Sequence, residues 1–324
     1  MSAETATDPT GQDMIAFTDV SVVFGGKVRA LNHVSFRIGR GEIVGLVGES
    51  GSGKTTLCRV LMGLTSATSG IVTIAGEPLR DRLALDPLGF RRQAQMLLQE
   101  AVASLSPRMR IGTLVEEPLR IHNLPRVEGR QRLLRLLGRL GLPETTLEKF
   151  PHQVSGGQAR RVAILRALVL EPEIIVADEP TAGLDVSVQG DLLNLMLDLH
   201  GEFGLTYLVV SHNLNVVRRL TQRTIVMYLG QIVEEAPTSA LFSAPAHPYT
   251  AALLSTNPSV DPAKRRQRII LKGEIPSPVN PPSGCSFHTR CPQMVERCRI
   301  EPPVLSETRE GRRVRCHFPI SPQV

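Results

Sequence analysis

The stretch Glu42-Ile-Val-Gly-Leu-Val-Gly-Glu-Ser-Gly-Ser-Gly-Lys54-Thr55 decides the fold. A short apolar run leads into the pattern G-x4-G-K-[ST], which is typical of a buried strand, a phosphate-binding loop and a following helix. Glycines let the backbone wrap closely around phosphate, and the loop N–H groups and the helix start favour negative charge. We expect Lys54 to reach the β- and γ-phosphates of a nucleotide, and Thr55 to give an oxygen ligand to Mg²⁺.

Composition limits the classes of protein that remain. Of 324 residues, 42% are hydrophobic and 21% are charged, which excludes disorder along the whole chain. No apolar run approaches the roughly 18 residues of a membrane helix, and the first residues lack a basic and apolar leader. We therefore expect a cytosolic location without structural disulfides.

The net charge of +6 is concentrated in the tail. From Ser259 onward there are 12 Lys and Arg against 6 Asp and Glu, while the rest of the chain carries 25 of each. A basic tail could face membrane phosphates or nucleic acid, and a solvated basic surface is an equally good interpretation.

Apolar runs alternate with helical stretches along most of the chain. Residues 14–36 alternate in polarity around Gly25-Gly26, which predicts a pair of antiparallel strands. Further buried strands are predicted at 173–178 and 205–211, and charged stretches with leucines at helical spacing predict helices between about 88 and 150. Repeated βα units favour an α/β fold with a mostly parallel sheet.

The composition changes near residue 258. We expect a flexible N-terminus over 1–13, a nucleotide-binding domain over 14–257 with a helical subdomain at about 95–170, and a C-terminal extension over 258–324. Eleven of the 24 prolines and four of the five cysteines lie from Pro258 onward. A unit of that size with little apolar material usually needs a staple.

A second strand ends in two carboxylates. The run Ile174-Ile-Val-Ala177 leads into Asp178 and Glu179. If this run forms a strand parallel to the one before the phosphate loop, both side chains would lie at the γ-phosphate. Asp178 is then expected to hold Mg²⁺, and Glu179 to orient and deprotonate the attacking water. Without the phosphate loop, a solvated strand end would explain the same residues equally well.

Val154-Ser-Gly-Gly-Gln158, followed by Arg161-Val-Ala-Ile-Leu-Arg-Ala-Leu168, resembles the signature motif of ATP-binding-cassette (ABC) ATPases. Ser155 is a good helix N-cap, and the two glycines allow close approach to an anion. The resemblance implies a P-loop NTPase fold: a RecA-like parallel sheet with antiparallel N-terminal strands, a helical subdomain and the Cys-containing extension. It also implies that Ser155, Gly156, Gly157 and Gln158 face the ATP of a partner subunit.

Other positions match family elements in the same order. Gln99 resembles the Q-loop glutamine, Asp185 the D-loop aspartate, and His212 the switch histidine at the γ-phosphate. The resemblance implies Glu179, His212, Lys54 and Gln99 as catalytic residues and Thr55, Gln99 and Asp178 as Mg²⁺ ligands. The implied ATP contacts are Phe24, Gly48, Glu49, Ser50, Gly51, Ser52, Gly53, Lys54, Thr55 and Thr56. Phe24 would stack on adenine, although a core phenylalanine explains that residue as well.

The resemblance narrows toward the ATPases of dipeptide and oligopeptide importers. Ala103-Ser-Leu-Ser-Pro-Arg-Met109, His247-Pro-Tyr-Thr-Ala-Ala-Leu-Leu-Ser255 and Gly284-Cys-Ser-Phe-His-Thr-Arg-Cys-Pro292 carry this likeness. It implies ATP hydrolysis at the cytoplasmic face of the inner membrane. The implied partners are two transmembrane permease subunits, a second identical or paralogous ATPase and, indirectly, an extracytoplasmic solute-binding protein, with no nucleic acid. Nickel and other small-solute importers share much of the pattern. A soluble ABC ATPase acting on nucleic acid or ribosomes is the alternative of another class.

Four cysteines cluster in the extension. Cys285, Cys291, Cys298 and Cys316 have the spacing C-x5-C-x6-C-x17-C. Soft thiolates suit zinc or an iron–sulfur cluster, and free thiols or a redox pair remain open. The family resemblance favours a four-iron four-sulfur cluster over zinc. His288 and His317 could substitute as ligands, but a surface position explains them better.

Overall fold

The structure is a computed structural model that describes residues 13–99, 103–256, 268–308 and 311–320. Residues 1–12 of the expected flexible N-terminus lie outside these ranges. The expected domain boundary at 257/258 lies outside them as well. The strands are β1 (Asp13–Phe24), β2 (Val28–Gly39), β3 (Ile43–Val47), β4 (Ser69–Ile74), β5 (Glu77–Pro78), β6 (Ala94–Leu97), β7 (Ile174–Asp178), β8 (Thr206–Val210), β9 (Arg223–Tyr228), β10 (Gln231–Pro237), β11 (Ser306–Glu307) and β12 (Arg313–Val314).

The helices complete the βα pattern. They are α1 (Lys54–Leu61), α2 (Leu79–Leu85), α3 (Pro87–Gln93), α4 (Ile111–Ile121), α5 (Arg126–Arg139), α6 (Gly156–Leu168), α7 (Val186–Phe203), α8 (Leu214–Leu220), α9 (Thr238–Ser243), α10 (Pro248–Ser255) and α11 (Glu296–Ile300). No helix in the described ranges combines the length and apolar character needed to span a bilayer.

The N-terminal strands form a small antiparallel sheet in the order β2-β1-β4-β5. β1 and β2 pair from Asp13↔Gly39 to Phe24↔Val28, on either side of the turn at Gly25 and Gly26. This is the predicted antiparallel pair. On its buried face, the rings of Phe17 and Phe36 stack 4.7 Å apart.

The main sheet carries the phosphate loop at its centre. Its order is β11-β12-β10-β9-β3-β8-β7-β6, and β9, β3, β8, β7 and β6 run parallel. Every residue of β3 and β8 is buried, as expected for central strands covered on both faces. The carboxyl ends of β3, β7 and β8 therefore meet at one edge, where ligands bind in open α/β sheets.

A helical unit packs beside this sheet. α4, α5 and α6 join in a core that includes Leu114, Leu133, Leu137 and Leu165. The leucines of α5 occupy its buried face at the spacing read from the sequence.

The C-terminal extension is bound to the ATPase domain at several places. β12 adds to the main sheet by pairing antiparallel with β10 through Glu234↔Val314. Phe287, Cys285 and Cys298 are buried in one cluster with residues of β9 and α10. The described part of the extension thus shares a core with the domain, because it has too little apolar material to build its own.

Arginines of the extension bind the domain directly. Arg290 pairs with Glu49, Arg312 lies 3.7 Å from Glu234, and Arg313 lies 2.9 Å from Glu235; Arg315 donates to the carbonyl of Ile232. Four of the 12 Lys and Arg residues of the tail therefore bind groups of the ATPase domain.

Candidate ATP site

Glycine is required at two points of the phosphate loop. A Cβ placed on Gly48 would lie 2.3 Å from the carbonyl oxygen of Met227. At Gly53, the φ of 104° is left-handed, and a Cβ would lie 2.5 Å from the carbonyl oxygen of Ala30. The loop is thus pressed against β9 and β2 as it enters α1, which only residues without a side chain allow.

Lys54 lies over the loop that precedes it. Its Nζ donates to the carbonyl oxygens of Gly48 and Glu49 at 2.8 and 2.9 Å. Burial lowers the pKa of Lys54, and the carboxylates of Glu179 and Asp178 oppose that change. The predicted phosphate-binding lysine and the two predicted strand-end carboxylates therefore belong to one electrostatic site.

Asp178 ends β7 beside the loop. Burial and the neighbouring charge of Glu179 raise the pKa of Asp178, while Lys54 opposes the rise. A divalent cation between these carboxylates would relieve their repulsion. Thr55, exposed at the start of α1, is the second predicted Mg²⁺ ligand on this side of the site.

Glu179 is held in a strained backbone conformation. Its φ of 49° is left-handed, which is uncommon for residues other than glycine and clusters at functional sites. The buried carboxylate accepts from the hydroxyl of Ser211 at 3.1 Å and from the backbone N–H of His212 at 2.8 Å. Its position is thereby fixed from the end of β8.

His212 completes this pair. Its Nδ1 lies 2.6 Å from Oε1 of Glu179. Because a carboxylate only accepts, Nδ1 carries the proton. The remainder of the imidazole side chain is largely exposed. Sequence reasoning selected both residues but not Ser211, whose only sequence signal is its place between the strand and the histidine.

Arg160 connects two loops of the site, the one after β6 and the one between β7 and α7, and was missed from the sequence. Its guanidinium donates to the carbonyl oxygens of Gln99 at 3.0 Å, Ala182 at 2.6 Å and Glu179 at 3.4 Å. The sequence signal that could have found it is its spacing: Arg160 stands four residues before Ile164, and therefore on the same side of α6 as that apolar residue. Arg160 ties the signature helix to the strand end that carries Glu179.

The signature residues lie at an accessible helix start. Ser155 caps α6 by accepting from the N–H of Gln158 at 3.2 Å, and the Gln158 side chain accepts in return from the N–H of Ser155. Ser155 and Gly156 are exposed. Within the described ranges, no hydrogen bond joins residues 155–158 to the phosphate loop. The two predicted phosphate-binding segments are therefore not linked to each other by hydrogen bonds in this chain.

Three other predicted residues are surface residues. Phe24 is 44% exposed at the end of β1, so it is not a core phenylalanine. Gln99 is exposed after β6, and Asp185 is exposed at the N-cap of α7. All three side chains are accessible to a ligand or a partner.

The four clustered cysteines line one narrow, mostly apolar cavity together with Phe287, His247, His288 and His317. Burial raises the pKa of Cys285 and Cys291, and raises that of Cys316 to about 11. These groups are therefore thiols at neutral pH unless a metal displaces their protons. In the described ranges, no set of three or more His, Cys, Asp or Glu stands in a geometry ready to hold a metal ion.

Two family models match the chain. The model described as "ABC transporter" matches residues 31–182. The model described as "Oligopeptide/dipeptide transporter, C-terminal region" matches residues 233–298.

Curated relatives match over almost the whole length. The chain is 43% identical over 312 residues to the di/tripeptide transport ATP-binding protein DppF of Pseudomonas aeruginosa, which covers 95% of this chain and 96% of that protein. It is 47% identical over 295 residues to YkfD of Bacillus subtilis, which is provisionally named an oligopeptide transport ATP-binding protein; 90% of each chain is covered.

Solved structures share the fold. CbiO1 from Clostridium perfringens, part of the ABC transporter complex cbiONQ, has a TM-score of 0.66 and 26% identity and covers 71% of this chain and 91% of its own. The dimeric bacterial ABC transporter cassette MJ0796 has a TM-score of 0.61 and 34% identity and covers 69% and 99%. The chain belongs to the ABC transporter family, as an ATP-binding protein that carries the C-terminal region of the oligopeptide and dipeptide transporters.

Proposed function

We propose that this protein is the ATP-hydrolysing subunit of an importer that moves di- and oligopeptides through a separate permease. The observation that carries the proposal is the site in which Lys54, Asp178, Glu179 and His212 meet at the edge of the main sheet. The names of the curated relatives support peptides as the transported solute.

Hydrolysis is assigned to the buried carboxylate and its histidine. Glu179 orients the attacking water and takes its proton, while Ser211 and His212 hold the carboxylate in place. Lys54 neutralises charge on the β- and γ-phosphates. Mg²⁺, when bound, would be held by Thr55, Gln99 and Asp178 and would balance the phosphate charge.

A second cassette completes the site. Residues 155–158, of which Ser155 and Gly156 are exposed, and the exposed Asp185 would face the nucleotide held by the other subunit, either an identical chain or a paralogue. The dimeric neighbour MJ0796 supports this arrangement. ATP then stabilises the closed dimer, and hydrolysis returns the open form.

The permease would dock beside Gln99. A cleft at this place is lined by residues of β6, α4 and α6 and by Leu98, which directly follows β6; Leu98 is 49% exposed and Ile121 of α4 is 53% exposed. Apolar side chains exposed in a cleft suit a helix of a partner protein. We place the subunit peripherally at the cytoplasmic face of the inner membrane, against two permease subunits, with the solute-binding protein on the opposite side.

Uptake by a reconstituted complex tests this function. The chain, its partner cassette and the permease subunits are assembled in vesicles, and ATP-dependent uptake of labelled peptides and of Ni²⁺ is compared. Glu179→Gln in both cassettes is the matched inactive control. Uptake of Ni²⁺ without peptides would favour the nickel-importer alternative. Binding to ribosomes or DNA without any uptake would favour the soluble ABC ATPase.

We further propose that the thiol cavity holds a four-iron four-sulfur cluster. The convergence of Cys285, Cys291, Cys298 and Cys316 on one cavity supports a four-thiolate ligand set. When bound, the cluster would join three separate segments of the extension. Anaerobic purification tests it: visible thiolate–iron absorption with stoichiometric iron and sulfide supports the cluster. Zinc alone, or no metal at all, contradicts it.

A further inference from the structure

An arginine of the extension reaches the phosphate loop. Arg290, the last residue of the short 3-10 turn His288–Arg290, makes a bidentate ion pair with Glu49. Its two terminal nitrogens lie 2.7 and 3.1 Å from the two carboxylate oxygens. The Arg290 side chain is only 8% exposed and that of Glu49 27%, so solvent screens this pair less than a surface pair.

The same face of the molecule holds the loop backbone. The N–H of Glu49 donates to the hydroxyl of Tyr249 at 2.8 Å. Tyr249 packs against Tyr228, and Phe287 of the extension packs against both, with ring centroids 4.8 to 5.5 Å apart. Arg290 also lies over the ring of Tyr228. Both the backbone and the side chain of Glu49 are thus fixed from the cluster in which the extension is anchored.

Charge explains why this contact concerns the nucleotide. Glu49 lies inside the loop expected to bind the phosphates, and its field acts on Lys54. An unpaired carboxylate there would repel the phosphate chain. At a separation of roughly 10 Å in partly screened surroundings, that repulsion corresponds to about tenfold in affinity. A bidentate guanidinium cancels the charge and also fixes its direction, since its planar fork matches the carboxylate.

We propose that Arg290 is a positioning residue for ATP, which neutralises and orients Glu49 so that the phosphate loop can bind the nucleotide phosphates. The extension then contributes to ATP binding as well as packing against the ATPase domain. This inference rests on the proposed ATP-binding role of the loop.

The test is equilibrium binding of MgATP to the full-length chain. Arg290→Gln should raise the Kd about tenfold, and in the reconstituted complex it should raise KM for ATP with a change in kcat of less than about threefold. Arg290→Lys keeps the charge but loses the fork, so an intermediate Kd is expected. The matched control is Arg297→Gln, which removes an exposed arginine of the extension whose side chain pairs, among the residues that the structure describes, with Glu301 of the same segment.

The double variant Glu49→Gln/Arg290→Gln separates charge from architecture. Because the repelling carboxylate is gone as well, its Kd should lie at least about threefold below that of Arg290→Gln, and the part of the affinity that is not recovered measures the orientation of Glu49. A Kd for Arg290→Gln within twofold of the wild type overturns the inference, as does a double variant that binds as weakly as Arg290→Gln. If Arg290→Gln does not fold, Arg290→Lys decides: a Kd raised more than about twofold supports the inference, and a Kd within twofold of the wild type overturns it. A wild-type chain that bound no MgATP would overturn the proposed function instead.

Discussion

Replacement of Glu179 by Gln removes a base and leaves the shape of the site intact. In the structure, one carboxylate oxygen accepts from the backbone N–H and Nδ1 of His212, and the other accepts from Ser211. The amide oxygen of Gln can keep the contacts to His212, and its NH₂ can donate to the Ser211 hydroxyl. We therefore expect little loss of stability, about 1 kcal/mol at most.

The main effect of Glu179→Gln is expected on the rate of the hydrolysis step. A positioned general base contributes about 100- to 10,000-fold, which corresponds to about 2.7 to 5.4 kcal/mol of activation free energy. Binding of MgATP is retained, because removal of the charge relieves the repulsion that raises the pKa of Asp178. The variant should thus accumulate ATP-bound dimers.

Phosphate release at saturating MgATP measures the rate, and light scattering after size exclusion measures the dimer. Glu202→Gln is the control, since Glu202 is an exposed carboxylate that pairs with Arg139 at the end of α7. A Glu179→Gln variant that kept more than about a tenth of the wild-type rate would refute the assignment of the base. So would a variant that stayed monomeric with MgATP in the presence of its partner cassette and permease.

Three further substitutions address two other residues of the ATP site and the buried histidine beside the clustered cysteines. Phe24→Ala should weaken MgATP binding about tenfold without loss of stability, because an exposed ring that stacks on a base contributes about 1–3 kcal/mol; equal Kd values would reject the stacking role. Gly48→Ala should abolish MgATP binding in a titration, because its Cβ would lie 2.3 Å from the oxygen of Met227. His247→Asn should flatten the pH dependence of urea unfolding between pH 7 and 5. Burial lowers the pKa of His247 to about 3, so the folded state keeps it neutral and stability falls as pH drops below the unfolded value of about 6.5. Asn at this N-cap can still accept from the N–H of Tyr249.

The predictions that depended on local chemistry agree with the structure. The phosphate loop needs glycine where its backbone approaches β9 and β2. Its glycine pattern is therefore enough to predict its backbone conformation. The predicted N-cap at Ser155 is local in the same sense, and the structure adds the return contact from the Gln158 side chain. The strand pair of residues 14–36 followed from alternation around Gly25-Gly26.

Long-range contacts could not be predicted in this way. Arg290 and Glu49 are 241 positions apart, and nothing in either neighbourhood indicates the other. In the sequence, Arg160 is one charged residue on a helix; only the fold brings three carbonyl groups from two loops around it. The two residues of β12 are too few to show a periodic pattern, so the sheet partner of the extension was also hidden.

The strand β12 has a practical consequence for how the chain can be divided. It covers the open edge of β10, and Phe287 shields the rings of Tyr228 and Tyr249. A protein shortened near residue 258 would expose unpaired backbone groups beside an apolar patch, the combination that promotes edge-to-edge aggregation. Expression of the ATPase portion alone is therefore expected to yield insoluble material, and the natural unit of study is the whole chain.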